Sequence, residues 1–306
     1  VAVMSDASGV PRLARLIRVG GPLQGEALTH DGRYLLVADG GGAAVLSVAR
    51  AQSGSPGAVL GLLGKRGPAG AIQVSVSPDD RFAFVELEYA RTVESFDLRV
   101  ALAAGLRDGY VGAIPLGYHP VGMAISPDGR WLYAVSEVGA DTGGQGGLSL
   151  IDLHRAETAP ARAVVATVGA GCDPARVTVS PDGRTVWATA RDSNVVLGWS
   201  AAKLASDPSR ALTAVVRVGQ SPVGLAFVDS RRLVVSDSDR FRTPERTTGL
   251  TVIDVGVTQP SEPMLRGTIA AGRFPREMAL APDGRTLLVN NFDSAQVEVL
   301  STAEIP

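Results

Sequence analysis

The stretch His119–Ser136 reads HPVGMAISPDGRWLYAVS. It divides into an alternating apolar run, a turn and a second alternating run. In the turn, Pro127 presets φ at about −65°, Asp128 tolerates bridge geometry, and Gly129 takes a positive φ at no steric cost. Two period-2 runs around such a turn form a β-hairpin. Outward from this copy, the chain repeats the turn as His30-Asp31-Gly32-Arg33, Pro78-Asp79-Asp80-Arg81, Pro181-Asp182-Gly183-Arg184, a worn Asp229-Ser230-Arg231, and Pro282-Asp283-Gly284-Arg285. The spacing is about 50 residues, within the range of repeat arrays.

Aligned on the turn, the six copies agree at two neighbouring positions of the first strand. One holds Ala27, Ser75, Ala124, Thr178, Ala226 and Ala279, all small; the next holds Leu28, Val76, Ile125, Val179, Phe227 and Leu280, all large and apolar. Successive strand residues point to opposite faces, so this pattern suits sheets covered on both sides. A third strand follows in each copy (residues 44–48, 92–97, 148–153, 195–199, 250–254 and 296–301). A fourth is legible at 111–116, 163–169, 214–219 and 266–270. Four sequential antiparallel strands per copy make a propeller blade. The expected fold is all-β: a propeller of six four-stranded blades in a single domain, residues 1–306, with seven blades as the alternative count. The last copy stops after its third strand, and a spare strand at 13–19 precedes the first. That N-terminal strand is expected to close the last blade and remove its exposed edge.

Composition narrows the partners. With 29 basic and 31 acidic residues the net charge is −2, so nothing calls for a polyanion or a membrane surface. Aromatic residues make up 5% of the chain; few stacking platforms and no basic groove argue against nucleic acid. Apolar runs are of strand length, which argues against a membrane span. The single cysteine, Cys172, excludes an internal disulfide. The chain begins at Val1 and carries no signal peptide, which reads as a trimmed or processed start.

The pattern Pro-x-Gly-x-Ala-x-Ser-Pro-Asp-Gly-Arg followed by a Tyr-Val-x-Asn-like strand, best matched by Pro120–Ser136, resembles the YVTN family of bacterial β-propellers. The resemblance covers almost the whole chain. It implies a rigid, secreted or periplasmic binding protein, with lactonases as more distant relatives. Those relatives commonly have seven blades. The terminal Asn of the family strand is present only as Asn291; Asp39, Leu87, Ser136, Ala190 and Asp237 stand there in the other copies.

Blade topology places the loops entering each first strand, and those following each second strand, at the end away from the Asp-Gly turns. By analogy with other propellers this end surrounds the channel mouth and takes the ligand. One position there breaks the repeat: it is Gly25, Gly122 and Gly224 in alternate copies, and Gln73, Arg176 and Glu277 in the others. With His119, Arg276, Asp39, Glu88, Glu137, Arg191, Asp237 and Asn291 these form the candidate ligand-binding set. His119, Arg176 and Glu277 are the candidates for catalysis. Arg240, Arg242 and Arg246 have the chemistry to hold a carboxylate or phosphate, but Glu245 offsets part of their charge and a solvated charge cluster is the expected reading.

Other chemistries fit poorly. Of three histidines, His30 and His154 fall at the turn end, so a histidine metal cluster is not expected. Asp237 and Asp239 offer oxygens to Ca²⁺, but no loop has a dedicated calcium spacing, and no cofactor is expected. Ser200-Ala201-Ala202-Lys203 matches a Ser-x-x-Lys pattern outside its fold. Gly64-Lys65 lacks the upstream glycine of a phosphate loop. The expected function is a binding scaffold for a protein, glycan or small molecule. The alternative is a lactonase-like hydrolase with a polar site at the channel mouth.

Overall fold

A computed structural model describes residues 1–5, 11–65, 67–241, 248–256 and 263–306. The chain is all-β and forms the six-bladed antiparallel β-propeller expected of the repeat. The six sheets follow chain order, and each begins with the predicted hairpin. In the fourth blade, for example, Pro174–Val179, Thr185–Ala190, Val195–Ser200 and Leu212–Arg217 pair in sequence. The first blade also has a fourth strand, Val59–Gly64, which the repeat alignment does not reveal. Its Gly61 and Gly64 hide the alternation.

Four blades carry a short helix between third and fourth strands: Val48–Ser53, Leu98–Ala104, Leu153–Thr158 and Ala201–Ser206. Each is capped by the last residue of the third strand, Ser47, Asp97, Asp152 or Ser200, whose side chain accepts a hydrogen bond from the third helical N–H. Such caps satisfy amide donors that the helix itself leaves unpaired. At 6–7 residues these helices persist through packing rather than propensity.

The chain divides into two compact units, residues 1–121 with 152–164, and residues 122–151 with 165–306. In the first, Leu36, Ala38 and Val45 of blade one pack against Val74, Val85 and Leu87 of blade two. In the second, Trp187 and Val196 of blade four meet Leu233, Val235 and Ile253 of blade five, while Val234, Leu250 and Val252 meet Leu287 and Val289 of blade six. The small–large alternation works as expected here. Ala226 faces blade six and the adjacent Phe227 faces blade four. Each fully buried aliphatic side chain in these seams contributes about 1.5–3 kcal/mol.

The hairpin turns carry a shared latch. Ser77, Ser126 and Ser180 donate to the turn aspartates Asp79, Asp128 and Asp182 at 2.5–2.6 Å, and accept the N–H of the second strand's first residue. Thr29 and Asp31 do the same in blade one. Where the turns of blades one, three, four and six place glycine at positive φ, blade two has Asp80 at φ 57°. The exception has a use: Asp80 accepts the backbone N–H groups of His30 and Asp31 and meets His30 Nδ1 at 2.8 Å.

The N-terminal strand departs from expectation. Arg12–Leu16 pairs with Ala2–Ser5, and the sixth sheet has three strands, Pro275–Leu280, Thr286–Asn291 and Gln296–Ser301. The reason is apolar burial. Val1, Ile17 and Val19 pack on Val37, Ala44 and Leu46 of blade one, and the Val1 amino group donates to Ile17 O.

Candidate functional site

The Gly/polar alternation has a packing cause. A Cβ on Gly122 would stand 2.8 Å from Ala175 O, and one on Gly224 2.2 Å from Arg276 O. On Gly25 it would stand 2.7 Å from Ile72 O. Each glycine lets the next blade's first strand approach, and the residue beside that contact is the one carrying the long polar side chain. The glycines and Gln73, Arg176 and Glu277 are therefore two halves of one device.

In the second unit this brings Arg176 and Glu277 together across 101 residues of sequence. Arg176 Nε and Nη2 both donate to Glu277 Oε1, at 2.8 and 2.5 Å, while Nη1 donates to Ala175 O. The Arg176 side chain is 8% exposed and that of Glu277 41%, so the pair runs from the interior to the surface.

A second arginine is fixed nearby. Arg191, in the short 3-10 turn Arg191–Ser193, donates from Nε to Asp173 at 2.8 Å and from Nη2 to both Asp173 and Glu137. Burial lifts the Glu137 carboxyl above its ordinary range, the Asp173 charge adds to this, and Arg191 only partly offsets them. Arg276 completes the cluster. Desolvation lowers its proton affinity, as do the like charges of Arg176, Arg240 and Arg191, with Glu277 opposing. Two exposed rings border the group: Phe292 lies 5.9 Å from the Arg276 guanidinium, and Phe241 lies 5.9 Å from those of Arg191 and Arg240. Phe274 packs edge-on to Phe292.

The entry loops have a common backbone. His119, Asp173, Ser221 and Phe274 each precede a proline and each hold φ between 49° and 57°. This left-handed region is costly for residues with a side chain. Here it turns the chain into the first strand. Sequence reasoning placed Asp173 beside the site without a partner and passed over Phe241 and Phe292. The residue–proline pairs at 119–120, 173–174, 221–222 and 274–275 were the available signal.

The remaining candidates separate. Asp39 accepts the Gly21 N–H at 2.5 Å. Asp237 stands at the same place in its blade and accepts the Gly219 N–H, holding its entry loop in the same way; Asn291 stands beside Gly272. Asp237 is 3% exposed; its Oδ2 accepts from Thr251 at 2.6 Å, its Oδ1 has no partner, and burial pushes its pKa up to about 7. It lines a cavity of about 670 Å³ with Arg217, Thr268 and Ile269. Asn291 Nδ2 donates to Glu298 at 2.9 Å.

In the first unit, Glu88 Oε1 stands 3.5 Å from His119 Nδ1, with Tyr89 edge-on to the imidazole. Gln73 pairs in register with Glu86, and its Oε1 is buried without a partner. Cys172 is exposed, and its backbone N–H donates to Ser193. Arg242, Glu245 and Arg246 lie outside the described residues. No group of three or more His, Cys, Asp or Glu side chains suited to a metal ion occurs among the described residues, and no described helix is long and apolar enough to cross a membrane.

No protein-family model and no curated protein matches the chain. Solved structures do. Hydrazine synthase of Kuenenia stuttgartiensis is similar at 18% identity and TM-score 0.73, over 95% of this chain and 87% of that one. A putative 6-phosphogluconolactonase from Bacteroides uniformis aligns at 18% identity and TM-score 0.68, over 97% and 84%. One from Bacteroides fragilis aligns at 15% identity and TM-score 0.71, over the same shares. At such identities the likeness is one of fold: this chain shares the β-propeller architecture of these proteins.

Proposed function

We propose that the chain is a binding propeller that takes a small anionic ligand at the entry end of blades four to six. The crowding of Arg276 by Arg176, Arg191 and Arg240 carries this reading. A guanidinium desolvated among like charges gains from an anion more than a solvated one does. Arg176 and Arg191 are held by Glu277, Asp173 and Glu137, so the cationic surface is preorganised and little side-chain entropy remains to be lost on binding.

Calorimetric titration with citrate and with 6-phosphogluconate tests it. Saturable binding that weakens with ionic strength and drops about tenfold or more in Arg276→Gln, but persists in Arg217→Gln, is expected. Equal binding by wild type and Arg276→Gln overturns it.

Lactone hydrolysis is the second reading. It rests on the putative 6-phosphogluconolactonases among the structural neighbours and on the nearness of Glu88 to His119, whose 3.5 Å spacing would have to shorten for Glu88 to orient the imidazole as a base. Accelerated opening of 6-phosphogluconolactone that is lost in His119→Gln supports it; the uncatalysed rate in wild type removes it. A periplasmic or extracellular location rests on the family resemblance alone, and cell fractionation tests it.

A further inference from the structure

The third strand of blade six, Gln296–Ser301, pairs with Thr286–Asn291 and has no strand on its other edge among the described residues. On one face of this strand, beside the open edge, Val297 and Val299 are 54% and 47% exposed. The residues after Ser301 leave this edge open. Ile305 packs into the blade-five seam, and Arg232 Nη1 donates to Thr302 O and Ile305 O.

The other blades say what such an edge takes. Opposite the position of Val297, the fourth strands place Leu63, Ile114, Val216 and Ile269 in blades one, two, four and five. Opposite the position of Val299 they place Gly61, Gly112, Ala214 and Gly267. The seated strand thus reads small–x–aliphatic each time: a small residue, and an aliphatic one two residues on.

We propose that the free edge of Gln296–Ser301 is a strand-addition site for an extended segment of a partner polypeptide carrying a Gly/Ala-x-Ile/Leu/Val core. Main-chain hydrogen bonds supply the affinity, and the exposed Val297 and Val299 read the aliphatic and small positions. An unpaired strand edge with apolar side chains is a ready template for such pairing.

The test uses the whole chain and a labelled synthetic peptide of sequence MLRGTIA, that of Met264–Ala270. Expected are saturable binding, slowed amide exchange confined to residues 296–301, and about tenfold weaker binding of a peptide with its glycine and isoleucine exchanged. Val297→Lys weakens binding to a similar degree; should that variant fail to fold, the exchanged peptide still decides. Equal binding of both peptides, or protection outside 296–301, overturns the proposal. So does protection of 296–301 without peptide that rises with protein concentration, which assigns the edge to a second copy.

Discussion

The turn end and the entry end of the blades treat charge in opposite ways. At the hairpin turns, Asp31, Asp128, Asp182 and Asp229 all have pKa values below the ordinary carboxylate range. For Asp31 and Asp128 a neighbouring hydroxyl leads; for Asp182 and Asp229 burial pulls upward but hydrogen bonds outweigh it. At the entry end, burial raises Glu137 and lifts Asp237 to about 7, and it lowers Arg276. The turns stabilise the charged forms they hold; at the entry end burial disfavours those of Glu137, Asp237 and Arg276, while Asp173 and Glu137 stabilise the charge of Arg191.

The contrast can be broken in four places, taken from the largest effect down. Asp237 costs stability when ionised. Its folded pKa lies above the unfolded value of 3.8, so its contribution is intact below about pH 4 and is lost as pH rises to about 7, at about 1.4 kcal/mol per pH unit. Asp237→Asn is expected to flatten that slope and to be the more stable protein at pH 8, by up to about 4 kcal/mol. Urea midpoints from pH 4 to 8 measure it, and a parallel loss in both proteins refutes it. Second, Gly224→Ala drives a Cβ into Arg276 O and is expected to cost about 3 kcal/mol. Gly32→Ala meets no atom and bears only its positive φ, for about 1 kcal/mol. Similar midpoints for the two would contradict the packing role given to the entry glycines.

Third, Arg176→Ala removes the partner of Glu277. Because Glu277 reaches solvent, the expected loss is about 1–2 kcal/mol, less than for a fully buried pair. Anion binding should fall with it if Arg176 helps form the cationic surface. Last, Asp80→Gly relieves a left-handed aspartate but gives up its bonds to His30 and Asp31. These effects oppose, so a net loss of about 0.5 kcal/mol is expected, with the slowed amide exchange of His30 and Asp31 disappearing. At the turn end acid should also act in the ordinary direction. Asp254 is drawn upward by burial but held at about 2 by Arg266, the Gly256 N–H and Arg231. Its stabilisation is present above about pH 4 and is lost as pH falls toward 2.

The hairpins and third strands were legible because their signals are local. A Pro-Asp-Gly turn and a period-2 run are written in consecutive residues, and six copies average out the noise. The fourth strand at Val59–Gly64 was missed because Gly61 and Gly64 leave no alternation to read. The site was half legible. Alignment singled out Arg176 and Glu277 as exceptions without showing that they bond to each other, and Asp39 and Asp237 look like ligand groups until their glycine neighbours reveal loop-holding roles.

By itself the sequence determined the repeat, the blade hairpins and the positions where blades differ, because strand period and turn chemistry act over a few residues. Only the tertiary structure decided that each glycine faces the next blade's backbone, that Arg176 meets Glu277 across 101 residues, and that Arg12–Leu16 lies on Ala2–Ser5 and leaves Gln296–Ser301 open. Those outcomes depend on which apolar faces are buried against one another, a choice made among distant segments that no local pattern encodes.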